Sequence, residues 1–375
     1  MRKRQFTAVG VALGTALVIA ACGSSSTSSN APAPGSGSSN AAATSPSTGG
    51  GSGTVNGAGS TFAAPIYEQW GSTLKGQGLT VNFNAVGSGA GIAALQSGTV
   101  DFAGSDPPEE PDEVKAGKGP VAQFPIGFGA ITVSYNLPGV KSGLKLDGKT
   151  VADIFQGKVK TWNDPEIKAL NPGLSLPGTA ITVVHRSDSS GTTKAFTTFL
   201  SDNSPAWTAA AGQPDKIVKW PTGTGAKGNS GVAAAIKQTA GAVGYVEQAY
   251  ALQNGFTFAA VKNSSGKFIA PSLPATSAAA VGIKVPADLT ISTINSPGAN
   301  AYPIVSQTFV VVYKDMCKAG VSQAAASGVK KFLSYGLGAG QAVEKQLFYA
   351  PLPSSLLSKD QAQLSSLTCN GSPLK

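Results

Sequence analysis

The sequence predicts an α/β fold in two domains, and three observations carry that prediction. Strand-like and helix-like stretches alternate along the chain, the pattern of sheets covered by helices. Several apolar runs are short and bounded by glycine or polar residues, as buried strands are. About 320 residues remain after a low-complexity N-terminus, enough for two domains.

Taken from the N-terminus, the first element is not part of the fold. Arg2, Lys3 and Arg4 precede an apolar run from Phe6 to Ala21. That run is shorter than the ~20 residues a spanning helix needs, and a basic start with a small-residue exit describes an export signal over residues 1–21. The exit "IAAC" resembles a lipobox, with Cys22 as the lipid-modified first residue and a membrane anchor; the alternative is a buried cysteine in an ordinary signal. Residues 23–53 are almost entirely Gly, Ser, Thr, Ala, Pro and Asn, too poor in apolar surface to fold. Such a tether over 22–53 would span roughly 30 Å.

The folded part follows. "LTVNFNAV" (79–86) puts Leu79, Val81, Phe83 and Ala85 on one face of a strand and Thr80, Asn82 and Asn84 on the other. "PIGFGAITVSYN" (125–136), "AITVVHR" (180–186) and "QTFVVVY" (307–313) read as buried strands. Helical patterns follow Gly59, Gly87, Gly191 and Gly231. No apolar span follows the signal, and no repeat of 20–50 residues is visible. Cys317 and Cys369 form an even pair in an exported chain, which suggests one disulfide; two free buried thiols are the alternative.

Charge excludes one function class. The formal net charge is +9, and loss of Arg2, Lys3 and Arg4 lowers it to +6. The lysines are spread out, so the surplus is a mildly basic surface and not a nucleic-acid footprint.

Three stretches share a layout. "GAGSTFAAPIYEQW" (57–70), "GSGAGIAALQSG" (87–98) and "SDSSGTTKAF" (187–196) each put Ser, Thr or Gly at a helix N-terminus. The first N–H groups of a helix lack internal partners, and the helix dipole adds positive potential there, so such an end can hold an anion. One such loop is ordinary capping. Three together, with Arg186 beside one, favour an oxyanion site, because a guanidinium offers a planar fork to a tetrahedral oxyanion. Asp188 would hold Arg186. Asp106, in "VDFAGSDPPEE" (100–110), is out of place in an anion site unless it meets a donor.

Catalysis is poorly supported. His185 is the sole histidine and no GxSxG elbow surrounds Ser189 or Ser190, so a serine hydrolase lacks its parts. One histidine without a dense carboxylate cluster is also a thin metal-ligand set. No enzyme, cofactor or metal is expected.

These stretches resemble a family. "GAGSTF", "GSGAG", "VDFAGSD", "SDSSGTT", "KGNSGVAA" and "GAVGYVE" come in the order and approximate spacing of the phosphate-binding proteins of bacterial phosphate ABC importers. "LDGKTVADIFQGKVKTWNDPEI" (146–167) is also similar to that family, with no ligand role derived for it. The resemblance implies a two-lobed periplasmic-binding-protein type II fold with a two-crossing hinge and the ligand in the cleft. Lobe 1 would comprise 54–131 and 305–375, and lobe 2 132–304, with crossings near 129–134 and 302–308. It implies phosphate ligands at Thr61, Phe62 (through its N–H), Ser88, Asp106, Arg186, Ser190, Gly191 and Thr192, with Asp188 orienting Arg186. Asn229 and Gly231 sit in a family-like loop without an assigned contact. It implies a monomer that delivers inorganic phosphate to permease subunits with a cytoplasmic ATPase, on the outer face of the membrane. Adhesion or sensing would be secondary roles.

The resemblance also gives Asp106 a physical purpose. Phosphate near neutral pH still carries a proton to donate, and sulfate does not. A site built around that donor rejects an analogue lacking it by roughly 10⁴–10⁵-fold. A sulfate or molybdate carrier is therefore the main alternative and a phosphoester hydrolase a remote one.

Overall fold

A computed structural model describes residues 53–374. The expected signal, the lipidation position Cys22 and the linker up to residue 52 lie outside the described residues. Among the described residues no helix is long and apolar enough to cross a membrane. Nor is any group of three or more His, Cys, Asp or Glu placed to hold a metal ion.

The main sheet contains β1 (Gly53–Gly59), β2 (Leu79–Ala85), β3 (Phe102–Ser105), β4 (Val121–Tyr135), β5 (Thr182–Arg186), β6 (Thr224–Ala226), β7 (Ala242–Glu247) and β8 (Val305–Tyr313). Their order is β2-β1-β3-β8-β4-β7-β5-β6, with Thr257–Phe258 also pairing with β4. Each end of the sheet is a parallel block, β2-β1-β3 at one and β7-β5-β6 at the other. The middle is antiparallel, where β3 meets β8, β8 meets β4, and β4 meets β7.

β4 carries the chain between the blocks. Its residues 121–130 pair with β8 and its residues 131–135 pair with β7. Every residue of β4 from Phe124 on is buried, and the polar residues Thr132 and Ser134 within that stretch pair with each other through their hydroxyls at 2.7 Å. Pro125 cannot donate to the ladder. The register shifts at that point: Thr308 faces Gly127 and Phe309 faces Pro125, so Ile126 is the extra residue of a bulge. The result is two α/β lobes with β4 running through both.

The edge position of β2 blunts its expected alternation. Leu79 is buried, Val81 and Phe83 are partly buried, and Ala85, expected on the same face, is exposed at the strand's end. The helices relevant to function are α1 (Ala64–Lys75), α2 (Ser88–Ser97), α3 (Gly191–Asn203) and α4 (Gly228–Gln238). The last begins before Gly231, not after it as expected. The apolar periodicity of Val232, Ala233 and Ile236 starts one turn later than the backbone, and the first turn, "GNSG", has nothing apolar to announce it.

Each lobe has an aromatic core. Tyr67, Trp70, Phe83, Phe102 and Phe332 pack beneath α1. Phe155, Phe196, Trp207, Trp220 and Tyr245 pack beneath α3. The 146–167 stretch acquires a structural role here. It forms helices Gly148–Phe155 and Pro165–Leu170, capped by Asp147 and Asp164. Its Phe155 meets Phe196 of α3 edge-on at 4.8 Å. Cys317 and Cys369 are bonded, with Cα atoms 4.7 Å apart, and tie the C-terminal hairpin to the turn after β8.

Candidate functional site

The loops after β1, β3 and β5 and the starts of α1, α2, α3 and α4 converge between the lobes. Glycine permits the approach. A Cβ at Gly89 would lie 2.6 Å from Ser189 Cβ, and one at Gly191 would lie 2.7 Å from Asp106 Oδ2. Gly89 donates its N–H to the Ser189 carbonyl at 3.2 Å, and Gly191 donates to Ser88 Oγ at 3.2 Å.

Arg186 ends β5 and is 3% exposed. Its Nε and Nη2 donate to Asp188 Oδ1 and Oδ2 at 2.7 and 2.6 Å, a two-pronged pair. This is no surface ion pair, so removing one partner leaves a buried charge uncompensated. Burial by itself would raise the Asp188 carboxyl; the Arg186 guanidinium and the Gly228 N–H outweigh it and hold the group below the ordinary carboxylate range. Arg186 Nη1 lies 3.4 Å from Thr192 Oγ1. Its backbone N–H donates to the Tyr245 hydroxyl at 3.1 Å, and that hydroxyl pairs with Thr193 Oγ1 at 2.6 Å.

Asp106 is also 3% exposed. Its Oδ1 accepts from the Ser60 hydroxyl, and from Thr308 at 3.2 Å. Its Oδ2 has one weak donor, Ser88 Oγ at 3.4 Å. Burial pushes the carboxyl up to about 6, against the lowering effects of Ser60, the Arg186 charge, Thr308 and Ser88. Ser88 in turn accepts from the N–H groups of Asp106, at 3.3 Å, and Gly191.

Asn229 organises the remaining hydroxyls. Its Oδ1 accepts the Glu247 N–H at 3.0 Å, which fixes the direction of the amide. Its Nδ2 then donates to Thr61 Oγ1 at 2.9 Å and to Thr192 Oγ1 at 3.4 Å. Ser190 caps α3, its Oγ accepting the Thr193 N–H at 3.2 Å. Each of these three hydroxyl oxygens is occupied as an acceptor, so its own proton remains available to donate. The Phe62 ring is buried edge-on to Tyr349, and its carbonyl accepts the Tyr349 hydroxyl.

The structure thus links Thr61, Arg186, Asp188 and Thr192 in one network and Ser88, Asp106 and Gly191 in another. Sequence reasoning missed Ser60 and Thr308 and gave Asn229 no contact. Ser60 stood in plain view inside "GAGSTF". Thr308 carried no signal, because its role depends on β8 lying beside β3.

The profile of the PBP superfamily domain matches residues 44–339. A phosphate-binding protein PstS of Pasteurella multocida is 40% identical over 314 residues, covering 83% of this chain and 89% of the relative. The chain belongs to the PBP superfamily and, within it, to the PstS family. The family member PstS3 of Mycobacterium bovis is 36% identical over 368 residues, covering 94% of this chain and 95% of its own. Among solved structures, a high affinity periplasmic phosphate-binding protein, PfluDING, bound with phosphate, superposes with a TM-score of 0.69. It is 22% identical and covers 84% of this chain and 96% of its own. That likeness fixes the architecture as the two-lobed periplasmic-binding-protein fold.

His185 is half-buried, stacks on Trp220 at 4.7 Å and 11°, and has a ring nitrogen 3.0 Å from the Arg186 carbonyl. Burial lowers its pKa against its backbone hydrogen bonds. Ser190 is the cap of α3.

Proposed function

We propose that this protein captures inorganic phosphate outside the cytoplasm and delivers it to the permease of a phosphate ABC importer. It binds and does not catalyse. The observation that carries this reading is Asp106: a buried carboxylate with an under-used Oδ2, standing opposite Arg186 among hydroxyl and N–H donors.

That arrangement selects a tetrahedral anion that still holds a proton. Arg186, kept in place by Asp188, supplies the charge. Thr61, Ser190 and Thr192 supply hydroxyl donors, and Phe62 and Gly191 supply N–H groups. Asp106 Oδ2 accepts the ligand's proton. Ser88 spends its proton on Asp106 in this structure and turns it to the ligand on binding. A fully ionised sulfate meets Asp106 as a like charge with no donor between them.

Several further features belong to this proposal. The chain is exported by its first 21 residues and lipidated at Cys22, so that the body is tethered at the membrane's outer face. Lobe 1 comprises 54–131 and 305–375, lobe 2 comprises 132–304, and closure is a hinge motion at the two crossings. The protein acts as a monomer and docks in its closed form on permease subunits served by a cytoplasmic ATPase.

Calorimetry on the ligand-stripped chain from Gly53 onward tests the reading. One-to-one phosphate binding without sulfate heat is expected. Equal sulfate binding would make it a broader oxyanion carrier and remove Asp106 as the selector. No heat from either anion, in folded protein, would overturn the phosphate reading.

A further inference from the structure

The turn that opens α1 is held from behind by two tyrosines. Tyr250 donates its hydroxyl to the Thr61 carbonyl at 2.6 Å. Tyr349 donates to the Phe62 carbonyl at 2.6 Å. A trans peptide is planar, with its C=O and the next residue's N–H pointing in opposite directions. Holding the Thr61 carbonyl therefore aims the Phe62 N–H the other way. Holding the Phe62 carbonyl likewise aims the Ala63 N–H, which donates to Ser60 Oγ at 3.2 Å. Ser60 in turn donates to Asp106.

The two tyrosines come from different places. Tyr349 is anchored on the side of the molecule that holds α1. Its neighbour Ala350 bridges Phe128 of β4, within the stretch that pairs with β8. Tyr250 lies on the helix Gln248–Gln253, directly after β7, and β7 belongs to the opposite parallel block. The bond from Tyr250 to Thr61 thus spans the cleft, whereas the bond from Tyr349 to Phe62 stays on one side of it. Glu247, at the end of β7, lies against Tyr349, with Oε2 accepting the Ala249 N–H at 2.8 Å. Burial pushes both tyrosines up, so each stays a neutral donor.

We propose that Tyr250 is a closure latch: its hydroxyl reaches the Thr61 carbonyl when the lobes meet and, through the planar 61–62 peptide, fixes the Phe62 N–H toward the bound anion. Tyr250 is a positioning residue and touches no ligand. Tyr349 gives the same turn a permanent support from its own lobe. This inference rests on the phosphate reading.

The test uses the full-length protein in detergent, with Tyr250→Phe and Tyr349→Phe. Phosphate dissociation and association are followed by stopped flow, and ligand-free stability by thermal melting. A latch made at closure is expected to slow release, so Tyr250→Phe should release phosphate about tenfold faster, the worth of one hydrogen bond. Its association rate and ligand-free melting temperature should match wild type. Tyr349→Phe should lower the ligand-free melting temperature, because its bond persists when the lobes part. An unchanged release rate in Tyr250→Phe, with wild type binding normally, would overturn the latch and leave the phosphate reading standing. A ligand-free melting loss in Tyr250→Phe equal to that of Tyr349→Phe would also overturn it, marking a merely structural bond. No phosphate binding by wild type would overturn both.

Discussion

Replacing Asp106 by asparagine should separate what this residue gives to binding from what it takes from stability. Its carboxyl is pushed from 3.8 to about 6, chiefly by burial, despite three hydroxyl donors and the Arg186 charge. In the ligand-free protein the folded state therefore holds its proton more tightly than the unfolded state. Stability from this group is intact at low pH and is lost as pH rises through the window from 3.8 to about 6. A shift of about two pH units corresponds to ~3 kcal/mol at pH 7.5. Asparagine mimics the protonated carboxyl in shape and cannot ionise. Urea denaturation of phosphate-stripped Asp106→Asn should thus find it more stable than wild type by up to ~3 kcal/mol at pH 7.5, and nearly equal near pH 4. The same variant should bind phosphate much more weakly and lose its preference over sulfate, since the amide offers a donor where an acceptor was needed. The difference between variant and wild type isolates Asp106 from the other buried acids whose carboxyls are raised, Glu109, Glu247, Glu344 and Asp360, which titrate in both. A stability difference that does not change with pH, or a variant less stable at pH 7.5, would refute the reasoning.

Asp188→Ala leaves the Arg186 guanidinium buried without its partner, and ligand-free denaturation should register a loss of about 3–5 kcal/mol, partly restored by phosphate; a loss below about 1 kcal/mol would mean the pair is dispensable. Gly89→Ala places a Cβ 2.6 Å from that of Ser189 across the cleft. Overpacking of this kind costs about 1–3 kcal/mol, so phosphate affinity should fall roughly 5- to 150-fold while ligand-free melting stays unchanged. Equal affinity by calorimetry would mean that the lobes close without that contact. Serines at both Cys317 and Cys369 open a loop of sequence separation 52, and chain entropy sets the stability loss at up to about 4 kcal/mol in a melting experiment. Because the bridge joins the turn after β8 to the C-terminal hairpin and takes no part in the hydrogen bonds around Arg186 and Asp106, phosphate affinity should hold in the folded variant.

Much of this protein is written locally. Alternating and unbroken apolar runs mark β2, β4, β5 and β8, because a strand's period and burial are visible in consecutive residues. Gly and Ser before an apolar period mark the starts of α2 and α3, because unpaired N–H groups and tight turns constrain the residue types nearby. Arg186 and Asp188 form their pair two residues apart, so their partnership is legible without a fold.

What lay beyond the sequence concerns groups distant in the chain. Thr308 looked like one more residue of a buried strand until β8 came to lie against β3 and brought its hydroxyl to Asp106, 202 positions away. Asn229 looked like part of a glycine-rich loop, yet it directs the Thr61 and Thr192 hydroxyls because Glu247 holds its amide. Tyr250 and Tyr349 gave no sign of a link to Thr61 and Phe62. A hydrogen bond depends on separation in space and on direction, and the order of strands across a sheet, which sets both, is not encoded in any local period. The sequence by itself determined four of the strands, the starts of α2 and α3, the Arg186–Asp188 pair and the family. The tertiary structure alone decided which donors face Asp106 and which hydroxyls reach across the cleft.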